Sequence, residues 1–170
     1  MPIVLFSLIW ISVAAMGFGV ASGLHLIDSV NPLRQHAVFG LAAVTLALFA
    51  HTMVMFYFVG TGKNVKRFVA DWDTETRDDI RRKLIETRRK IFPSMIFACL
   101  VIVGAFILGG AYEAQVVPRW AHMFPAYAAF LYHGHVSAKE TLFIFRNVSF
   151  LQDVNDLGRR RQKTEEAQIG

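Results

Sequence analysis

Four long stretches of this chain carry no Asp, Glu, Lys or Arg: residues 3–27, 36–60, 91–112 and 120–136. They constrain the fold because a bilayer's hydrocarbon core takes helices of about 17–25 predominantly apolar residues, whose backbone groups are satisfied internally. The apolar residues come in blocks rather than amphipathic periods. Hydrophobic residues make up 54% of the chain, above the roughly 45–50% of a soluble domain. The expectation is an all-α, integral membrane four-helix bundle: one domain over 1–158, with spans at 3–27, 34–60, 91–112 and 119–145. The fourth continues as an amphipathic helix to about 157, and 159–170 is a polar tail.

Basic residues set the orientation. The segment 61–90 between the second and third spans carries ten Lys and Arg, and five more (Arg146, Arg159, Arg160, Arg161 and Lys163) follow the fourth span. The other two loops carry only Arg34 and Arg119. By the positive-inside rule, both termini and the 61–90 segment face the cytoplasm; the expected location is a bacterial cytoplasmic (inner) membrane. The net charge of +5 is then a topological signal, with no nucleic acid as partner. The first span lacks a basic n-region and exceeds an h-region of roughly 7–15 residues, so it is not a secretion signal. The one cysteine, Cys99, rules out an internal disulfide or CxxC chemistry.

Local signals punctuate these spans. Pro32 suits a first helical turn, and Gly60-Thr61-Gly62 reads as the end of the second span. Asp73-Thr74-Glu75-Thr76 resembles a helix start, and Ile80, Leu84 and Ile85 form a thin apolar stripe leading into the third span. Leu142, Phe143, Phe145, Phe150 and Leu151 carry the helical pattern past the membrane until Gly158, after which the polar tail reads as disordered. No internal repeat is legible.

The six histidines fall in or beside the spans. Ionisable residues inside a membrane mark sites by default, and neutral imidazole is the commonest protein ligand for a metal. His25, His36 and His122 lie at the outer ends of their helices; His51, His133 and His135 lie deeper. From His36 to His51 is about 22 Å, and from His122 to His133 about 16 Å, at about 1.5 Å per residue. His122 and His133 differ by roughly 20° around their helix, His36 and His51 by roughly 60°, and His135 points roughly 200° from His133. Gly17, Gly19 and Gly23 on the first helix and Gly104, Gly109 and Gly110 on the third offer close approach to a ligand, although small residues are also the ordinary glue of membrane helix pairs.

Two helices bearing two histidines each, stacked in two layers and flanked by glycine-bearing helices, resemble the haem-bearing bundle of di-haem membrane cytochromes b. The resemblance is architectural and covers the membrane half of the chain. It implies haem b, one or two, with His36, His51 and His122 as axial ligands together with either His133, favoured by its facing, or His135, and with His25 as a further cofactor-side candidate. Arg34, Arg119 and Arg67 are candidates to neutralise haem propionates. The implied function is an electron-transfer subunit, a carrier rather than a catalyst, passing electrons between quinone and partner subunits of a respiratory or photosynthetic-type redox complex. Lys139 and Glu140, near the inner end of the fourth span, read as snorkelling or paired charges, or as a proton donor beside a quinone. The alternatives are a non-haem metal or proton-conducting membrane protein, and a structural accessory subunit. No Ser-His-Asp order, phosphate loop or HExxH points to hydrolysis.

Overall fold

The computed structural model describes residues 2–24, 26 and 31–169. His25 lies outside the described residues, as do residues 27–30. Four helices follow one another: α1 (Pro2–Gly23), α2 (Pro32–Phe68), α3 (Thr74–Glu113) and α4 (Arg119–Ile169). Two of the starts are written in the sequence. Asn31 caps α2 by accepting from the Arg34 N–H at 3.1 Å, with Pro32 in the first turn. Asp73 caps α3 by accepting from the Thr76 N–H at 2.9 Å. Such side-chain acceptors satisfy N–H groups that the helix itself leaves free.

Helices α1, α2 and α3 are each long and apolar enough to cross a membrane. Among the described residues α4 does not reach that apolar level, because His122, His133 and His135 interrupt its hydrophobic stretch. Its 51 residues nevertheless run the length of the bundle, roughly 76 Å at about 1.5 Å per residue. The helices pack in a ring, α1 on α2, α2 on α3, α3 on α4 and α4 on α1, with α1 and α3 on one diagonal. Large apolar side chains point outward on all four, among them Ile3 and Phe18, Phe49 and Phe56, Leu100 and Ile107, and Leu131 and Phe145.

The interior has three sections. The middle is filled by large residues including Leu5, Ile9, Val54, Phe58, Ile91 and Met95. Toward the Gly23, Pro32 and Arg119 ends it narrows to small ones, Ala43, Ala47, Ala105 and Ala129, with Met16 and Ile102. Beyond the opposite end of α1, the other helices continue as a three-helix platform around Val65, Val69, Ile80, Leu84 and Val154.

Two expected boundaries differ. The second helix does not end at Gly60–Gly62 but runs to Phe68. Gly62 is a clearance rather than a stop: a Cβ there would overlap the Arg88 guanidinium, which donates to the Phe58 carbonyl at 3.0 Å. Likewise Gly158 does not stop α4, and the 159–170 tail is helical through Ile169. A Cβ at Gly158 would sit 2.7 Å from Phe68 Cζ, so this glycine lets α4 pass against α2. Arg161 then holds the extension, 2.9 Å from Asp73 Oδ1 and 5.8 Å above the Trp72 ring.

Candidate functional site

The narrow end of the bundle carries one histidine from each of two antiparallel helix pairs. His36, one turn into α2, places Nδ1 3.1 Å from the Gly19 carbonyl of α1. His122, at the start of α4, places Nδ1 3.2 Å from the Ala105 carbonyl of α3. In both pairs the histidine follows its acceptor by 17 residues. Gly23 and Gly109 are equivalent in the same way. A Cβ on either would crowd the histidine ring, at 2.8 Å from His36 Cε1 and 3.0 Å from His122 Cε1. The α1–α2 and α3–α4 hairpins thus present their imidazoles through matching contacts, a local equivalence that residue identities do not reveal.

A carbonyl only accepts, so Nδ1 carries the hydrogen in both rings and Nε2 is left with its lone pair. Ser22 Oγ, which donates to the Gly19 carbonyl at 2.9 Å, adds a 3.3 Å contact to His36 Nδ1. Neither Nε2 has a partner among the described residues. The ring centroids lie 6.1 Å apart with planes at 64°. Metal–imidazole bonds of about 2 Å set opposed ligand nitrogens about 4 Å apart and ring centres roughly 6 Å apart. The pair therefore has the spacing of two axial ligands. A backbone carbonyl on the far nitrogen is also the usual way a ligating histidine is oriented.

Both rings line a cavity of about 630 Å³ walled by Gly19, Gly40, Gly110 and Ala43 among other small or apolar residues. That is within the range of about 300–1,000 Å³ typical of cofactor sites. Tyr112 stacks on His122 at 6.3 Å and 10°, and Glu113 and Arg119 also line the cavity. Of the three arginines considered for propionates, Arg119 is at this cavity, while Arg34 is exposed and Arg67 is exposed at the far end of α2. Among the described residues no group of three or more His, Cys, Asp or Glu is arranged to hold a metal ion. A metal here would take two protein ligands only, so its remaining positions would have to be filled by the cofactor that carries it.

The inner histidines are arranged differently. His51 and His133 are fully buried, and His133 Nδ1 lies 3.0 Å from His51 Nε2. That is a hydrogen-bond distance, about 1 Å short of two nitrogen–metal bonds in line. The other nitrogens are also occupied: His51 Nδ1 is 2.6 Å from Glu140 Oε1, and His133 Nε2 is 3.1 Å from Ser12 Oγ. His135 is exposed beside Tyr132 and belongs to neither pair.

The sequence leaves Glu140 open between snorkelling, pairing and proton donation, and it gives Ser12 no role. Glu140 is fully buried rather than snorkelling, while its neighbour Lys139 donates to Ser94 Oγ at 3.0 Å. Ser12 is missed altogether. Its signal is the buried face of α1, Leu5, Ile9, Ser12, Met16, Gly19 and Ser22, whose steps of three and four put both serines on the core stripe. Comparison with models of protein families, with curated proteins and with solved structures gives no match for this chain.

Proposed function

We propose that this protein is a haem b-binding electron-transfer subunit of a membrane redox complex, with one haem held between His36 and His122. The observation that carries the reading is the matched pair of imidazoles in one cavity, each anchored through Nδ1 to a carbonyl, with centroids 6.1 Å apart. The glycine walls give a planar group its clearance, and Arg119 offers a guanidinium to its carboxylates. Bound haem would supply reversible one-electron chemistry. With His36 and His122 holding it, the group would serve electron transfer rather than binding of oxygen or substrate, and the chain would act as a carrier. Burial, the Nδ1–carbonyl bonds and the stacked Tyr112 are its means of setting the potential.

The bundle spans the membrane four times in this reading. Apolar residues on the outer surface of α4, Trp120, Phe124, Leu131, Leu142 and Phe145, support its counting with the other three. Both termini and the basic platform face the cytoplasm of a bacterial inner membrane, and the haem cavity opens toward the other side. Quinone or a partner subunit exchanges electrons with it.

The test is a reduced-minus-oxidised spectrum of the purified chain with haem quantified. One haem per chain is expected, lost in His36→Ala and His122→Ala and retained in His135→Ala. A folded, natively purified protein without haem would overturn the reading, as would full haem content in the double variant of His36 and His122. Two haems per chain would mean that the inner pair opens to take the second.

A further inference from the structure

We propose that Ser12, His133, His51 and Glu140 form a proton relay, separate from the His36–His122 pair, that passes one proton between Glu140 and His133 inside the bundle. The hydrogen count along the chain carries this. Ser12 Oγ donates to the Ile9 carbonyl at 2.6 Å, so toward His133 Nε2, at 3.1 Å, it can only accept. His133 Nε2 therefore bears a hydrogen. The 3.0 Å contact between His133 Nδ1 and His51 Nε2 needs a second, and the 2.6 Å contact between His51 Nδ1 and Glu140 Oε1 a third. Two neutral imidazoles and one neutral carboxyl own three hydrogens between them. Every contact is filled with no net charge, which is the least costly state for groups that are all fully buried.

Glu140 Oε2 is buried with no partner among the described residues. That is tolerable on a neutral carboxyl and expensive on a carboxylate. At rest Glu140 thus donates to His51 Nδ1, and His51 Nε2–H donates to His133 Nδ1. The relay step moves two hydrogens. The Glu140 O–H bond breaks as an N–H forms at His51 Nδ1, and the His51 Nε2–H bond breaks as an N–H forms at His133 Nδ1. Glu140 becomes a carboxylate, His51 its other neutral tautomer and His133 an imidazolium, with no proton gained or lost. His51 makes this possible because its two nitrogens face different partners, the geometry of a bridge rather than of a chelate. Seven residues of α4 separate the ends, about 10 Å along the axis, or about a third of a hydrocarbon core of about 30 Å. Nothing in the step needs haem.

The experiment is nitrogen NMR on the full chain, labelled with 15N at its histidines, in lipid nanodiscs, with any bound haem held in its reduced, diamagnetic state. In the wild type, both nitrogens of His51 and Nδ1 of His133 should be exchange-broadened and displaced from the fixed-tautomer values, because a minor charge-separated population exchanges with the resting state. His36 and His122, locked by carbonyls, should show fixed Nδ1–H tautomers and serve as internal controls. Glu140→Gln keeps a donor toward His51 but cannot release it, so both inner histidines should move to the limiting shifts of the fixed Nε2–H tautomer. Fixed tautomers in the wild type would overturn the proposal, and so would a permanent imidazolium at His133. The wild-type spectrum decides this even if the variant fails to fold.

Discussion

An acceptor on one ring nitrogen decides what the other nitrogen can do, and the two histidine pairs use this in opposite ways. At His36 and His122 a backbone carbonyl takes the Nδ1 hydrogen and leaves Nε2 a lone pair, on rings that line the cavity. At His51 both nitrogens are consumed by partners within 3.0 Å. The glycines around the outer pair make this testable. Gly40 lines the cavity and a Cβ there would meet nothing within 4 Å, so Gly40→Leu should leave the helices intact and fill the space a cofactor needs. Haem per chain should drop severalfold with unchanged circular dichroism; full haem content would show that the cavity is not the site. Gly109→Ala is a finer probe, since its Cβ would stand 3.0 Å from His122 Cε1. The ring must tilt to accept it, and a shifted haem midpoint potential with retained haem is the expected result. An unaltered potential would argue against His122 as a ligand.

At the level of helices, what could be read in the sequence was what each segment encodes about itself. The apolar blocks, the Pro32 start and the Asp73 cap are local signals, and α1 to α3 follow them. The misread positions are those whose meaning depends on a neighbouring helix. Gly62 and Gly158 look like stops until Arg88, Phe68 and Trp72 are seen against them. Ser12 looks incidental until His133 arrives against it, and Glu140 stays open between snorkelling and pairing until His51 is seen beside it. Gly158→Leu should therefore act as overpacking, destabilising the platform by about 1–3 kcal/mol, read as a lower unfolding midpoint for Trp72 fluorescence with haem content unchanged; an unmoved midpoint would mean that α4 does not pass α2 so closely. Asp73 gives the platform an acid limit. Its hydrogen bonds from Thr76, and then the Arg161 guanidinium, lower its carboxyl from 3.8 to about 2. The ionised form is the one that holds the cap and the tail. Its contribution is complete above pH 3.8 and is lost as pH falls through about 2. With Trp10 and Trp120 replaced by Phe, Trp72 fluorescence should report a transition in that window. Asp73→Asn should abolish it, and a transition that persists in the variant would assign the effect elsewhere.

Across the whole molecule the interior is graded from end to end: open volume at the His36–His122 end, dense packing and a filled proton chain in the middle, and a charged platform beyond. Position along the axis therefore carries functional meaning, and orientation in the membrane decides which compartment the cavity meets. Ten of the 18 Lys and Arg lie in residues 61–90, and five more follow residue 145. All are carried by the helix segments that lead to or form the platform. Against them the opposite end has Arg34 and Arg119. Under the positive-inside rule, a bias of that size within short loops predicts a topology with the platform in the cytoplasm. Cysteine labelling measures it directly. With Cys99 replaced by Ala, Val116→Cys should react with a membrane-impermeant maleimide in intact spheroplasts, whereas Lys163→Cys should react only after permeabilisation. Val116 is exposed between α3 and α4, at the cavity end, and Lys163 is exposed near the end of α4. The reverse pattern would turn the cavity toward the cytoplasm and put its electron partner there. Labelling of both sites from outside would mean that α4 does not cross the bilayer, and the exposed face of Leu131, Leu142 and Phe145 would then have to be covered by something other than lipid.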